Sequence, residues 1–210
     1  MSVLQKIATF QGHRDEVPNQ ELARELAAAK DRQGVSEIAE NLWNKDKNVQ
    51  SDCLKVLYEI GYISPDLIAG YSADFLKLLR SKNNRLVWGA MIALSTIADL
   101  KADELFAHRA EIFKAMGKGS VITVDNGIKA LALIASTNDE YRGEIFPYLL
   151  EHLKTCRPKE VPQHAEKIMV AVNAGNQAEF VQVLESRLDI MTKAQAARLN
   201  KLIRAAKKLS

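Results

Sequence analysis

An internal repeat of 37 residues is the feature that most constrains the fold of this 210-residue chain. Apolar residues at offsets of one, three, four and seven positions mark one face of a helix, and this set recurs along the chain. The four copies of the set begin at Cys53, Ala90, Gly127 and His164. A second apolar stripe keeps the same period, and its copies begin at Ile38, Phe75, Ile112 and Leu149. Each repeat therefore contains two amphipathic helices.

The repeat predicts where these helices lie. We expect first helices at about 35–44, 66–80, 103–116 and 140–154, and second helices at about 47–61, 84–99, 120–136 and 159–174. A fifth and slightly shorter pair is expected at about 177–190 and 193–208. Residues 121–124 (Val-Ile-Thr-Val) favour a strand locally. Their place in the repeat nevertheless predicts the start of a second helix.

Helix pairs of this kind cannot bury their apolar stripes alone, so neighbouring pairs must stack. We therefore predict an all-α fold, a right-handed α-α superhelix of about five helix pairs with a concave inner face. Residues 1–34 precede the first clear repeat and are expected to form an N-terminal helical cap, with a helix beginning near Pro18. Residues 35–210 are expected to form the repeat array as one continuous domain.

Composition indicates an ordinary globular protein, with 47% hydrophobic residues and a net charge of +3. That charge is too small to argue for nucleic acid by itself. The chain shows no signal-peptide pattern and no apolar stretch near the ~20 residues that span a bilayer, so a cytoplasmic protein is expected. Cys53 lies on an apolar stripe, as expected for a reduced, buried thiol.

The sequence contains no motif typical of catalysis or metal binding. The four histidines, His13, His108, His152 and His164, show no spacing typical of zinc ligands, so neither metal nor cofactor is predicted. The sequence also lacks the GxSxG, HExxH and GxGxxG patterns. This favours a binding protein and leaves the question of an enzyme open.

Two segments resemble the HEAT/armadillo-like helical repeat superfamily. Asp46–Leu57 has the order of Asp, Val, polar residue, small residue and Leu found in the second helix of HEAT repeats, and Arg85–Leu94 is similar. The resemblance covers about residues 35–208. It departs from the pattern where the family often has Arg, at Gln50, Val87 and Val124. The resemblance implies a scaffold, adaptor or regulator, because such proteins bind partners on their concave surface; one branch consists of DNA alkylation-repair glycosylases.

The second helices of such an array line the concave face, which directs attention to their polar and aromatic positions. The candidate binding residues are Asp52, Tyr58, Arg85, Trp88, Asp125, Asn126 and Lys129. An exposed Trp beside Arg and carboxylates is typical of a binding hot spot, which predicts a protein or peptide partner. The alternative interpretation is that Trp88 packs partly between repeats and that the charges form a solvated face.

Nucleic acid is the alternative partner. By resemblance to the HEAT-type glycosylases, Asp125 would stabilise a cationic sugar, Trp88 would contact the lesion and Arg85 would hold a phosphate. A possible basic patch on the last helix comprises Arg198, Lys201, Arg204 and Lys208. This patch could bind nucleic acid, an acidic partner or an anionic membrane, or it could be a solvated outer face.

Overall fold

The computed structural model of the protein describes residues 2–209, and over that range it contains helices and no strand. The α-helices are α1 (Ala8–Gln11), α2 (Val17–Ala29), α3 (Arg32–Glu40), α4 (Lys47–Ile63), α5 (Ser72–Leu78), α6 (Asn84–Ile97), α7 (Ala102–Ala107), α8 (Arg109–Lys118), α9 (Val121–Thr137), α10 (Asp139–Thr155), α11 (Val161–Ile168), α12 (Gln177–Ser186) and α13 (Lys193–Ala206). Short 3-10 helices occupy Val3–Lys6, Asn41–Trp43, Pro65–Leu67, Ala69–Tyr71, Met169–Ala171 and Leu188–Ile190. The all-α prediction is confirmed.

The chain divides into two compact units, residues 1–127 and 128–210, and the division falls within α9. In the first unit α4 is the central element, because it packs against both α2 and α6. Leu26, Leu57 and Leu94 are among the buried side chains of these three helices. The predicted boundary after residue 34 lies inside this unit and stays a prediction.

The second unit is built on α10 to α13. Here α12 packs against α10 and α13, and α11 contacts the same two helices. The buried side chains of this unit include Leu153, Ile168, Phe180 and Leu199. These residues lie on the apolar stripes of their helices, which is why the helices pack together.

Several helices start at polar breaks in the sequence, among them Lys82–Asn84 and Ser136–Asp139. Asn83 caps α6 by accepting a hydrogen bond from the Arg85 backbone N–H at 3.0 Å, and Asn138 caps α10 through the Tyr141 N–H at 2.8 Å. Such caps satisfy backbone donors that a helix leaves unpaired at its first turn. The β-prone residues 121–124 are helical, as the repeat predicts, because they belong to α9.

Two predicted helices are divided. In place of one helix at 66–80, the chain forms the 3-10 helices Pro65–Leu67 and Ala69–Tyr71 and then α5. Gly70 lies in this stretch, and glycine disfavours a continuous helix. The helix expected at 103–116 is interrupted at His108, whose ψ of 13° departs from helical geometry, to give α7 and α8.

The second helix of the fourth repeat is shorter than expected. The segment predicted at 159–174 forms α11 and one 3-10 turn, Met169–Ala171. Pro162 lies at the second position of α11, where a missing N–H is harmless.

Small residues allow helices to approach closely in the first unit. An added Cβ at Gly89 of α6 would lie 2.7 Å from Cδ2 of Leu54 on α4, and one at Gly127 would lie 2.5 Å from Cγ of Met116. Glycine is needed at both positions because any larger residue would force the neighbouring side chain to move.

None of the helices described within residues 2–209 combines the length and the apolar character that crossing a bilayer requires.

Candidate functional site

The segment before α2 contacts the face of α4 and α6 that was predicted to line the concave surface. The Glu16 carboxylate, at the N-terminus of α2, pairs with Lys55 Nζ at 2.9 Å through one oxygen and with Arg85 Nη2 at 2.8 Å through the other. Lys55 also pairs with Glu59 at 2.7 Å. Burial acts to lower the pKa of Lys55, but hydrogen bonds to Glu59, Tyr58 and Glu16 outweigh it and hold that pKa above its ordinary value.

Three aromatic side chains, Tyr58, Tyr62 and Trp88, meet beside these ion pairs and are called the aromatic cluster below. The Tyr58 ring centroid lies 6.3 Å from that of Tyr62 and 6.2 Å from that of Trp88. Lys55 Nζ lies 4.9 Å from the Tyr58 ring centroid, within the range of a cation–π contact. Tyr58 is buried, Trp88 is half-buried, and Tyr62 is 54% exposed. The cluster therefore has a fixed base and an accessible edge.

Asp125 and Asn126, from the start of α9, belong to the same unit. Burial raises the pKa of Tyr62, and Glu59 and Asp125 raise it further, which places both carboxylates within electrostatic range of the Tyr62 hydroxyl. The Asn126 amide donates to the Ile122 carbonyl at 2.9 Å and accepts from the Ser95 hydroxyl at 3.3 Å. Asn126 therefore makes structural contacts on the predicted face.

Asp52 requires a correction. It was predicted as a binding residue of the concave face, but it is only 8% exposed and its carboxylate accepts three hydrogen bonds. Thr9 donates its backbone N–H at 2.8 Å and its hydroxyl at 2.6 Å, and Asn19 donates its amide at 2.9 Å. The cause is the fold of residues 1–34, which places α1 and α2 against this part of α4.

Three further candidates stand in different surroundings from those expected. Tyr58 is buried, so it supports its aromatic neighbours and presents little surface of its own. Arg85 is exposed, but Glu16 binds its guanidinium, which competes with the phosphate contact that the glycosylase resemblance implied. Lys129 is half-buried on α9 and belongs to the second unit.

The basic residues of α13 are exposed, as expected for either interpretation of the patch. Arg198 is bound by Glu166 of α11 through two hydrogen bonds of 2.9 and 2.7 Å. This contact lowers the pKa of the Glu166 carboxyl, and Lys201 adds to the effect. The patch is thus partly neutralised, and Lys201, Arg204 and Lys208 carry most of its charge.

A cavity that the sequence did not indicate lies in the first unit. Its volume is about 580 Å³, and residues from Leu79 to Asn84 together with α8 form much of its wall. Its charged lining residues are Arg80, Lys82, Glu111, Lys114 and Lys118. Glu111 accepts two hydrogen bonds from the Arg80 guanidinium, at 2.6 and 3.1 Å, so part of the positive charge is balanced within the wall.

The second unit contains a cluster that sequence reasoning missed. Ligand-type atoms of His152, Cys156 and His164 all lie within 4.8 Å of one another. His152 and Cys156 are four residues apart on one helical turn at the end of α10, and this spacing could have been noticed in the sequence. His164 comes from α11, and only the packing of the two helices brings it to the others. These three residues therefore form a candidate metal site that the sequence analysis did not predict.

Solved structures similar to this chain are helical-repeat proteins. A designed armadillo repeat protein in complex with the peptide (KR)4 has a TM-score of 0.68 at 16% identity, over 99% of this chain and 97% of that one. An engineered protein has a TM-score of 0.67 at 20% identity, over 99% and 98%. Kap121p bound to Pho4p has a TM-score of 0.62 at 16% identity, over 95% of this chain and 22% of that one.

These similarities identify the fold as that of armadillo and HEAT-repeat proteins, as predicted. No protein-family model matches the sequence, and no curated protein matches it. The repeat period of 37 residues and the right-handed superhelix stay predictions. At these identities the similarity concerns the fold, and function must be argued from the site.

Proposed function

We propose that this protein is a peptide- or protein-binding helical-repeat module whose principal contact surface is the accessible edge of the aromatic cluster. The observation that supports the proposal is the pair Tyr62 and Trp88, which remain partly exposed while packing on the buried ring of Tyr58. Tyr and Trp are the residues most often found at the energetic centre of interfaces. Neither ring needs to be ordered anew when a partner binds.

The surroundings of the cluster favour a preorganised surface. Glu16 and Glu59 hold Lys55 against the Tyr58 ring, so the base of the cluster is fixed by ion pairs that are themselves largely covered. Burial of an aromatic side chain by a partner contributes roughly 25 cal/mol of binding free energy for each Å² of apolar area removed from water. Because Tyr62 and Trp88 already pack on the buried Tyr58 ring, less of this gain is lost to side-chain entropy on binding.

The similar structures support a peptide or protein as partner. The designed armadillo repeat protein holds the peptide (KR)4, and Kap121p holds Pho4p. In this chain the negative charges of Glu59 and Asp125 both act to raise the pKa of Tyr62 at the exposed edge of the cluster. They would favour a partner segment that brings an Arg or Lys to the exposed edge of the cluster, by charge and by cation–π contact.

The proposal is tested by affinity capture from native lysate after nuclease treatment, with quantitative mass spectrometry. We expect the wild-type chain to recover a protein partner in an amount proportional to the amount of chain used. The variant Trp88→Ala/Asp125→Ala should lose this partner while its far-ultraviolet circular dichroism stays unchanged. Trp43→Ala is the matched control, because Trp43 is also partly exposed but packs with Lys77 and Asp74 outside the cluster.

Two outcomes would count against the proposal. Undiminished capture by the folded double variant would show that the aromatic cluster is not the contact surface. Recovery that disappears on nuclease treatment would favour the nucleic-acid alternative, and release of an alkylated base by the wild-type chain, lost in Asp125→Asn, would then be assayed.

A further inference from the structure

Two histidines of the second unit occupy positions that hold apolar residues or glycine in the second and third repeats. His164 corresponds to Cys53, Ala90 and Gly127, and its own side chain is only 2% exposed. His152 corresponds to the buried residues Leu78 and Ala115 one or two periods earlier. An imidazole in an apolar position is unfavourable unless its nitrogens find partners. Both departures from the pattern occur in the same repeat, and the two rings meet.

The contact between the rings is close and specific. His152 Nε2 lies 2.9 Å from His164 Nδ1, and the ring centroids are 4.9 Å apart. A hydrogen bond of this kind requires that one nitrogen carry a proton and the other present a lone pair. Burial lowers the pKa of His152, and the neighbouring His164 adds to the effect, so that the pKa is about 4.

Cys156 completes the group from the end of α10. It is a free, half-buried thiol, and its Sγ lies 3.9 Å from the Leu153 carbonyl, a weak contact. Arg187 fixes the backbone here, because its guanidinium donates to the carbonyls of Lys154 and, at 2.7 Å, Cys156. The contacts of Arg187 thus fix the end of α10, and this helix end holds the Cys156 thiol beside the two rings.

We propose that His152, Cys156 and His164 form a binding site for a Zn²⁺ ion, with two imidazole nitrogens and one thiolate as protein ligands. The ligand atoms already lie within 4.8 Å of one another. Zn–N and Zn–S bonds of about 2.0 to 2.3 Å require tetrahedral ligand atoms about 3.4 Å apart. The two rings need to separate by roughly half an ångström, which small side-chain rotations can supply.

The donor set favours zinc over the hard cations. Mg²⁺ and Ca²⁺ prefer oxygen ligands, whereas imidazole and thiolate together suit zinc. Binding converts the Cys156 thiol to a thiolate and releases its proton to solvent. Three protein ligands leave a fourth position for a water molecule.

The test uses the full-length chain, stripped of metal and titrated with Zn²⁺ in competition with a chromophoric chelator. We expect one equivalent to bind. Titration with Co²⁺ should give the near-ultraviolet charge-transfer band of a thiolate ligand together with visible d–d bands of tetrahedral geometry. Absence of stoichiometric zinc binding, or a cobalt spectrum without the thiolate band, would overturn the proposal.

Variants then assign the ligands. Cys156→Ser and His152→Gln should each weaken zinc binding by at least about 100-fold, which exceeds the usual effect of losing a residue that only hydrogen-bonds to a ligand. His13→Gln is the control and should bind zinc as the wild type does, because His13 is exposed and lies in the first unit. Unchanged affinity in folded Cys156→Ser would contradict the assignment. Should a variant fail to fold, the cobalt spectrum of the wild-type chain still decides.

Discussion

At the residue scale, Asp52 shows how one carboxylate ties the N-terminal segment to the repeats. It accepts hydrogen bonds from both α1 and α2 while belonging to α4. Asn19, which donates one of them, also accepts the Ala8 backbone N–H at 2.9 Å and is fully buried. The polar groups of three helices are thus satisfied around a single side chain, an arrangement that specifies how these helices meet.

The substitution Asp52→Asn should lower the free energy of unfolding by about 2 to 3 kcal/mol. The amide that replaces the carboxylate has one acceptor oxygen fewer, so donors on Thr9 and Asn19 lose an acceptor and face N–H groups instead. Urea unfolding followed by circular dichroism measures the change in the free energy of unfolding. Asp99→Asn is the control, since Asp99 is exposed and should change stability by less than about 0.5 kcal/mol. Equal stability of the two variants would contradict the role given to Asp52.

At the element scale, the close approach of α4 and α6 depends on the absence of a side chain at Gly89. The two helices pack along much of their length, and Leu54 fills the space above the glycine. The same two helices carry all three members of the aromatic cluster. The spacing of the helix pair therefore also sets the spacing of the rings.

Gly89→Ala should lower the free energy of unfolding by about 1 to 3 kcal/mol, the usual range for overpacking a filled interior. The matched control is Gly117→Ala in α8, where an added Cβ meets no atom within 4 Å. That variant should be neutral or more stable, by up to about 1 kcal/mol, because alanine favours helix. Differential scanning calorimetry compares the two, and a Gly89→Ala variant as stable as Gly117→Ala would refute the packing argument.

Element boundaries were predicted best where the apolar stripe is long and capped. The start of α6 at Asn84 and of α10 at Asp139 agree with the polar breaks in the sequence. The interruption at His108 was not foreseen, because the apolar stripe continues across it. There the Arg109 guanidinium donates to the Phe106 carbonyl at 3.0 Å, which satisfies an acceptor at the end of α7.

At the scale of the whole molecule, charge is nearly balanced. Acidic side chains of other helices pair with basic residues in α13 and just after it. Glu166 binds Arg198, and Glu185 pairs with Lys207 at 2.9 Å. Nucleic-acid affinity depends on the number of phosphates that basic groups neutralise. The remaining exposed cations of α13 offer few such contacts.

Fluorescence anisotropy with labelled duplex DNA at low ionic strength tests this. We expect weak binding, and we expect the variant Lys201→Gln/Arg204→Gln/Lys208→Gln to retain the captured protein partner. Tight DNA binding with a steep salt dependence, reduced in that triple variant, would instead support the nucleic-acid alternative. The wild-type chain with a neutral polymer in place of DNA serves as the baseline.

The sequence by itself determined the helical-repeat architecture, because the apolar stripes that form the helices are local patterns repeated at a constant spacing. It also directed attention to Trp88 as an accessible aromatic residue. These features depend on the order of residues within one or two helices. They could be predicted without knowing how distant parts of the chain meet.

Only the tertiary structure decided which candidates are accessible and which residues come together. Residues 1–34 do not follow the repeat, so their packing over Asp52 and Lys55 could not be read from periodicity. His164 reaches His152 through the packing of α10 and α11. The physical reason is the same in both cases, because burial and side-chain contact depend on how helices pack. The pattern of apolar residues along the sequence specifies which face of a helix is buried. It does not specify which residues of other helices lie against that face.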